Sequence, residues 1–299
     1  MKKIEMKMKT RIAIMMTTLM SAAAMSGMGA VSNDSRTSAS VAIALNDAGI
    51  ERMKAGDLTA AALKFEEAIA VDPSYVIATH NLGKLLASAR QYDRAVKVLE
   101  NGLEKRPEDS GCLVQLAQIY AIQDRKETFT SILERIAKLP KPVVLRELPL
   151  LLLRQGRPAF ALQAAARAVL ADPGNPVCWF NKGLVEEQSR DDQAAEKSYR
   201  KAIELKADYV SPWVNLGNVR DRAGDGEGAT AAYAKAYGID ANDSFALYNY
   251  GRMLVLRGKD VSKGFDLVQR AAEGNGGASV PARKLLAELV DIAEIGAAK

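Results

Sequence analysis

The sequence predicts an all-α fold, an array of helical hairpins stacked one on the next. Three observations predict it. First, a short W-x-x-x-G run recurs at a fixed interval: Trp179 and Trp213 stand 34 residues apart, and so do Gly183 and Gly217, Tyr199 and Tyr233, and Ala202 and Ala236. A further copy runs from Leu247 to Gly251. Second, the apolar residues keep a helical period from Val41 nearly to the end. Third, helix-ending signals fall at matching places, such as the Asp-Pro pairs at 72–73 and 172–173, where proline cannot continue a helix and restricts the residue before it. A period of this size marks a helix-turn-helix unit that buries its apolar face against its neighbours.

The first thirty residues are of another kind. A basic stretch ends at Arg11, an uncharged run follows from Ile12 to Met20, and small residues fill Ser21 to Ala30. This is the order of a secretory signal peptide. Small residues at −3 and −1 permit cleavage after Ala24, Ser26 or Gly29. The run from Ile12 to Val31 is also uncharged and long enough to span a bilayer, which takes roughly 20 residues. An uncleaved anchor is therefore the alternative. No cysteine follows the run, which excludes a bacterial lipoprotein anchor. The same segment explains the charge. Residues 1–30 carry +4 of the chain's formal +5, so the remainder is nearly balanced and lacks the basic stripe of a nucleic-acid binder.

Residues 31–41, including Ser32 to Ser40, are small and polar, and read as a flexible linker. The array then occupies residues 42–274, with repeats beginning at Ala42, Val76, Ser110, Pro142, Pro176, Val210 and Ser244. The first carries Gly49, Gly56, Ala61, Phe65 and Ala68; the second Leu82, Gly83, Ala95 and Leu99. The third has Leu113, Leu116, Ala117 and Tyr120, then a degenerate second helix around Phe129 to Ile136. The fourth has Leu145, Leu148, Leu152, Gly156, Ala161 and Ala168. The fifth and sixth hold the tryptophan copies. The seventh keeps Leu247, Gly251, Leu254 and Gly258, then gains one residue before Ala271. Gly274, Gly276 and Gly277 break the chain, and within the capping segment 275–299 the run from Val280 to Ala297 forms one amphipathic helix, with Leu285, Leu286, Leu289, Val290 and Ile292 on one side. An array needs such a cap, because its last repeat has no neighbour.

These residues resemble the tetratricopeptide repeat (TPR) family. The resemblance implies a right-handed superhelical solenoid of about seven helix-turn-helix repeats with a C-terminal capping helix. It implies a small residue at position eight, aromatic or leucine side chains at four, eleven and twenty-four, and a turn glycine near fifteen. It also implies protein binding in a concave groove lined by positions two, five, six, nine and twelve of each first helix.

No motif points to chemistry. His80 is the only histidine, and the two cysteines, Cys112 and Cys178, fall two repeats apart. Stacked helices lie about 8–10 Å apart, while a disulfide needs Cα atoms within about 7 Å. Two free, partly buried thiols are expected, with no metal site and no cofactor. Gly224 to Gly228 looks like a phosphate loop but has Asp225 and Glu227 and no lysine after it, so it reads as an inter-helix turn. Ser198 to Lys201 matches S-x-x-K without companion motifs, and both residues are expected on an outer helix face.

The groove positions are more informative. Position six is asparagine in four repeats, Asn81, Asn181, Asn215 and Asn249. An amide both donates and accepts, so a ladder of them suits the backbone of an extended peptide. Val177, Phe180, Leu184, Val214, Phe245 and Tyr248 would supply apolar pockets beside it, with Asn218 and Arg252 at position nine. Val214 stands where clamps for a C-terminal carboxylate carry lysine, which argues against that mode. In the fourth repeat Val143, Val144, Leu145, Leu148 and Leu150 to Leu153 are apolar nearly all round one helix, with Pro149 expected to kink it. Leu150 and Leu153 fall on the groove side and offer a patch for a partner or for self-association. The sequence thus predicts an exported, non-enzymatic scaffold or adaptor in the periplasm, active in envelope assembly or secretion. Its partner would be a protein or extended peptide, with neither nucleic acid nor small-molecule substrate, and membrane contact only through an uncleaved leader. The alternatives are a membrane-anchored assembly factor and an accessory subunit of an envelope enzyme.

Overall fold

The computed structural model describes residues 33–140 and 143–297. The predicted leader, residues 1–30, lies outside them, as do the side chains of Val290 and Ile292. The described residues form fifteen α-helices and no strand. The chain divides into two compact units, Met1–Pro107 and Glu108–Lys299, the boundary falling in sequence between the second and third predicted repeats.

The first unit holds α1 (Asn33–Lys54), α2 (Leu58–Val71), α3 (Val76–Ser88) and α4 (Tyr92–Lys105). Here the predicted linker is corrected. The helix already runs at Asn33, where residues 31–41 were expected to be loose. Once a helix is nucleated, each added residue costs little, and a serine can satisfy its hydroxyl on the helix itself. The Ser40 hydroxyl donates to the Thr37 carbonyl at 2.9 Å. The predicted interlock of small and large residues is present. Phe65 of α2 is fully buried, and a Cβ placed on Gly49 of α1 would stand 2.5 Å from its ring.

The second unit continues with α5 (Ser110–Ile122), α6 (Lys126–Ala137), α7 (Val143–Arg154), α8 (Pro158–Ala171), α9 (Pro176–Gln188) and α10 (Asp192–Leu205). It ends with α11 (Val210–Arg222), α12 (Gly226–Ile239), α13 (Ser244–Leu256), α14 (Val261–Glu273) and α15 (Ser279–Ala297). The degenerate stretch in repeat three is an ordinary helix, α6, which buries Phe129, Ile132, Leu133 and Ile136. The added residue of repeat seven lies in its turn: Asp260 caps α14 by accepting from the Lys263 amide, one position later than the equivalent Asp225 of repeat six caps α12. The C-terminal helix packs Leu285 and Leu286 against the cluster of Leu247, Leu254, Leu267 and Val268, as a cap should.

All seven inter-helix turns use a left-handed residue at position fifteen. Four are glycines, Gly56, Gly156, Gly224 and Gly258, and three are not: Arg90, Asp124 and Arg190, with φ of 57°, 56° and 65°. Gly224 has φ of 80°, and Asp225 accepts from the Gly228 amide at 2.8 Å. The Gly224–Gly228 loop is therefore a turn with its own helix cap. Both thiols are free and buried, as expected. Burial holds them protonated, pushing Cys112 up to about 12 and Cys178 up to about 11.

Repeat four breaks the pattern in α7. Pro149 is buried within a helix assigned without a break from Val143 to Arg154. It occupies the small-residue position, and the facing position twenty-four holds Ala165, also fully buried. Leu145, Leu148 and Leu152 are buried at 1%, 0% and 0% exposure. Leu150 and Leu153 are half-buried, so the open patch is narrower than the sequence suggests, and Val143 at 49% exposure is its most open member.

Candidate binding face

The candidate site is the row of first helices in repeats five to seven, α9, α11 and α13. Its asparagines do not form one free ladder. Asn181 is 5% exposed and donates to the Arg146 carbonyl of the preceding repeat at 2.9 Å. In the first unit, Asn81 donates to Asn46 at 2.8 Å in the same way. These two amides join consecutive first helices. Asn249 is also buried, at 8% exposure. Asn215 differs. It is half-buried and its amide reaches the Tyr199 hydroxyl only at 3.5 Å, a long contact that contributes little.

A polar chain threads this face. The Tyr199 hydroxyl donates to Glu187 at 2.5 Å, and Arg222 donates to Asp192 at 2.8 Å and pairs with Glu187 at 2.9 Å. The Tyr233 hydroxyl donates to Asn218 at 2.8 Å, and Asn218 reaches Asn215 at 3.5 Å. Arg252 is held by Asp221 at 2.5 Å. Burial pushes the Tyr233 phenol up to about 12 and raises that of Tyr199, so both remain hydroxyl donors at neutral pH. The sequence assigned these tyrosine rings to the core. It did not reveal that their hydroxyls pass through the hairpin and emerge beside the amides of the first helices. The phenol itself was the signal: Phe65 fills the same position in repeat one without one.

The apolar candidates separate by exposure. Val214 is corrected: at 6% exposure it is core, packed with Tyr233, Ala236 and Ala246. Val177, Phe180, Leu184 and Tyr248 are half-buried, and Phe245 is 48% exposed. Ser198 is a second correction. It is 1% exposed and donates to Glu186 at 2.5 Å, while Lys182 donates to it at 3.2 Å and pairs with Glu186. The residue lies three after Ala195 and four before Ala202, both fully buried, so it shares their face of α10 and is drawn between helices. Lys201, its motif partner, pairs with Glu204 instead. His80 is half-buried on α3.

Two stretches of the sequence agree with this architecture. Residues 52–111 and 150–210 each match a model of the tetratricopeptide repeat. The chain carries tetratricopeptide repeats. Similar solved structures include the MamA protein, with 18% identity over 66% of this chain and 90% of that one at a TM-score of 0.41. Another is YrrB, described as a TPR protein with an unusual peptide-binding site, with 16% identity over 74% and 97% at 0.38. A third is the APC/C hetero-tetramer Cut9–Hcn1, with 14% identity over 77% and 47% at 0.45. Among curated protein sequences, none matches this chain.

Proposed function

We propose that this chain is an exported scaffold or adaptor that docks a protein segment on the first-helix face of repeats five to seven. The observation that carries this reading is the mixture on that face. Phe245, Tyr248, Phe180 and Leu184 keep apolar surface open to solvent beside the Asn215 amide, whose contacts with Tyr199 and Asn218 are both 3.5 Å long. Apolar pockets next to amides suit an extended segment, whose side chains alternate with backbone donors and acceptors. The protein acts by binding and not by catalysis. Export rests on the charged, uncharged and small-residue order of residues 1–30. The equally uncharged Ile12–Val31 run keeps a membrane-anchored assembly factor as the second reading. No helix among the described residues is long and apolar enough to cross a membrane.

A photo-crosslinking residue placed at Tyr248 or Leu184, in cells, tests the docking face. The control site is Leu170, 71% exposed at the end of the second helix α8. Partner adducts are expected at the first two and absent at Leu170. Adducts of equal yield at all three sites would show that the face is not selective. N-terminal sequencing of the mature chain separates the two readings: a start at Met25, Gly27 or Ala30 means cleavage, and retention of Ile12–Met20 means an anchor.

A further inference from the structure

One cavity in the second unit, of about 260 Å3, opens between α7, α8 and the start of α9. Leu145, Arg146, Ala171, Asp172, Asn175 and Cys178 are among the residues lining it. The next repeat shows what belongs in such a place. Tyr209 is the last residue of repeat five, and its ring packs on Phe180 of the same repeat with centroids 5.2 Å apart. The equivalent positions in repeat four are Asn175 and Arg146. Neither fills the space. Asn175 folds back on its own backbone, accepting from the Val177 amide at 3.0 Å and donating to Asp172 at 2.9 Å. Tyr209 makes no side-chain cap at its helix, which leaves its ring free to cross to Phe180. A helix cap has replaced an aromatic contact, and the vacated ring site remains. Among the described residues, the guanidinium of Arg146 pairs only loosely, with Glu147 at 3.8 Å, which leaves it available to the face of a ring.

We propose that this cavity receives a phenol-type ring, the tyrosine side chain of a partner protein, stacked on Arg146 with its hydroxyl toward Asp172. The volume allows it, since about 150 Å3 suffices for benzene in an apolar cavity. The ring cannot come from the undescribed parts of this chain: residues 1–32, 141–142 and 298–299 contain no Phe, Tyr or Trp. The proposal rests on the docking reading and names the anchor of that partner.

The probe is p-cresol, the tyrosine side chain as a free molecule, added to the full chain. Saturation transfer from protein to p-cresol is expected, and it should vanish in Asn175→Tyr and in Ala171→Phe, each checked for folding by circular dichroism. The second variant fills the cavity without removing the α9 cap, so a folding failure of the first leaves the test intact. Labelling of Cys178 by a small thiol reagent should slow roughly fivefold when p-cresol is at four times its Kd, while Cys112 labels at an unchanged rate. No transfer to the wild-type chain, or equal transfer to both folded variants, overturns the proposal. In that case crosslinking at Tyr248 still decides the docking reading on its own. If p-cresol binds as expected but dissolves a dimer of this chain, the ring comes from a second copy and the commitment to a different partner fails.

Discussion

In repeat six the first helix carries Gly217 and the second carries Tyr233; in repeat four the same two positions hold Pro149 and Ala165. A Cβ on Gly217 would collide with the Tyr233 ring, so the hole must be empty for the large side chain to enter. In repeat four the volume is exchanged: the bulk moves to the hole and the opposing side chain shrinks. Both pairs are buried. The lesson is that either helix of a hairpin can supply the larger side chain at this crossing. The exchange also alters the face. Tyr233 and Tyr199 deliver hydroxyls to Asn218 and Glu187, whereas Ala165 delivers nothing. Asn181, the first asparagine after Ala165, turns instead to the Arg146 carbonyl. Asn81, which follows Phe65, likewise finds another partner in Asn46. Of Asn81, Asn181 and Asn215, only Asn215 follows a repeat with a tyrosine at that position, and only its amide reaches a phenol.

The comparison breaks most directly at the large side chains. Tyr199→Ala empties the aromatic site of repeat five and is expected to cost about 3–5 kcal/mol in urea unfolding. Tyr199→Phe keeps the ring and removes the hydrogen bond to the Glu187 carboxylate together with the long contact from Asn215, for about 1.5–3 kcal/mol. If the two variants unfold alike, the hydroxyl and not the ring holds the hairpin, and the volume argument fails.

Repeat four provides the matching test. Leu152 is fully buried, and Leu152→Ala should cost about 2–5 kcal/mol. The pair Leu150→Ser with Leu153→Ser removes half-buried surface and should cost clearly less, while lowering binding or self-association measured by light scattering. A double serine variant that melts as early as Leu152→Ala would place those leucines in the fold.

Much of this was legible because the period is geometric. A 34-residue spacing of Trp, Gly and Tyr fixes which faces meet, and the buried positions Phe65, Ala117, Leu152 and Tyr233 were all readable from it. The polar bonds were not. Asn181 and Asn215 occupy one register position yet take different partners, because the partner belongs to the neighbouring repeat and not to the position. Ser198 escaped for a similar reason: its burial depends on Lys182 and Glu186 across the hairpin. The helix before Val41 escaped because serine and asparagine favour caps and turns as readily as they tolerate a helix interior. A smaller prediction follows from the amides. Asn215→Ala should cost only about 0.5–1.5 kcal/mol, since its contacts are 3.5 Å long; a much larger loss would show that the amide closes the hairpin interface and is unavailable to a partner.

The smallest expected effect isolates the turn. Repeat six turns through Gly224 with φ of 80°, and repeat five turns through Arg190 with φ of 65°. A left-handed backbone costs a residue with a Cβ about 1–2 kcal/mol. Glycine avoids that strain but loses about 0.5–1 kcal/mol through the greater freedom of its unfolded chain. Arg190→Gly should therefore stabilise the protein by roughly 0.5–1 kcal/mol, the difference between those terms. Gly224→Ala should destabilise it by a similar amount, and nothing stands within 4 Å of the added Cβ to confuse the reading. The two substitutions exchange the turn chemistry of adjacent repeats without touching a core side chain. Shifts of opposite sign in the urea midpoint at an unchanged slope are the expected result. If both variants lose stability, the Arg190 side chain contributes more at its turn than the strain it imposes, and the seven turns are not equivalent.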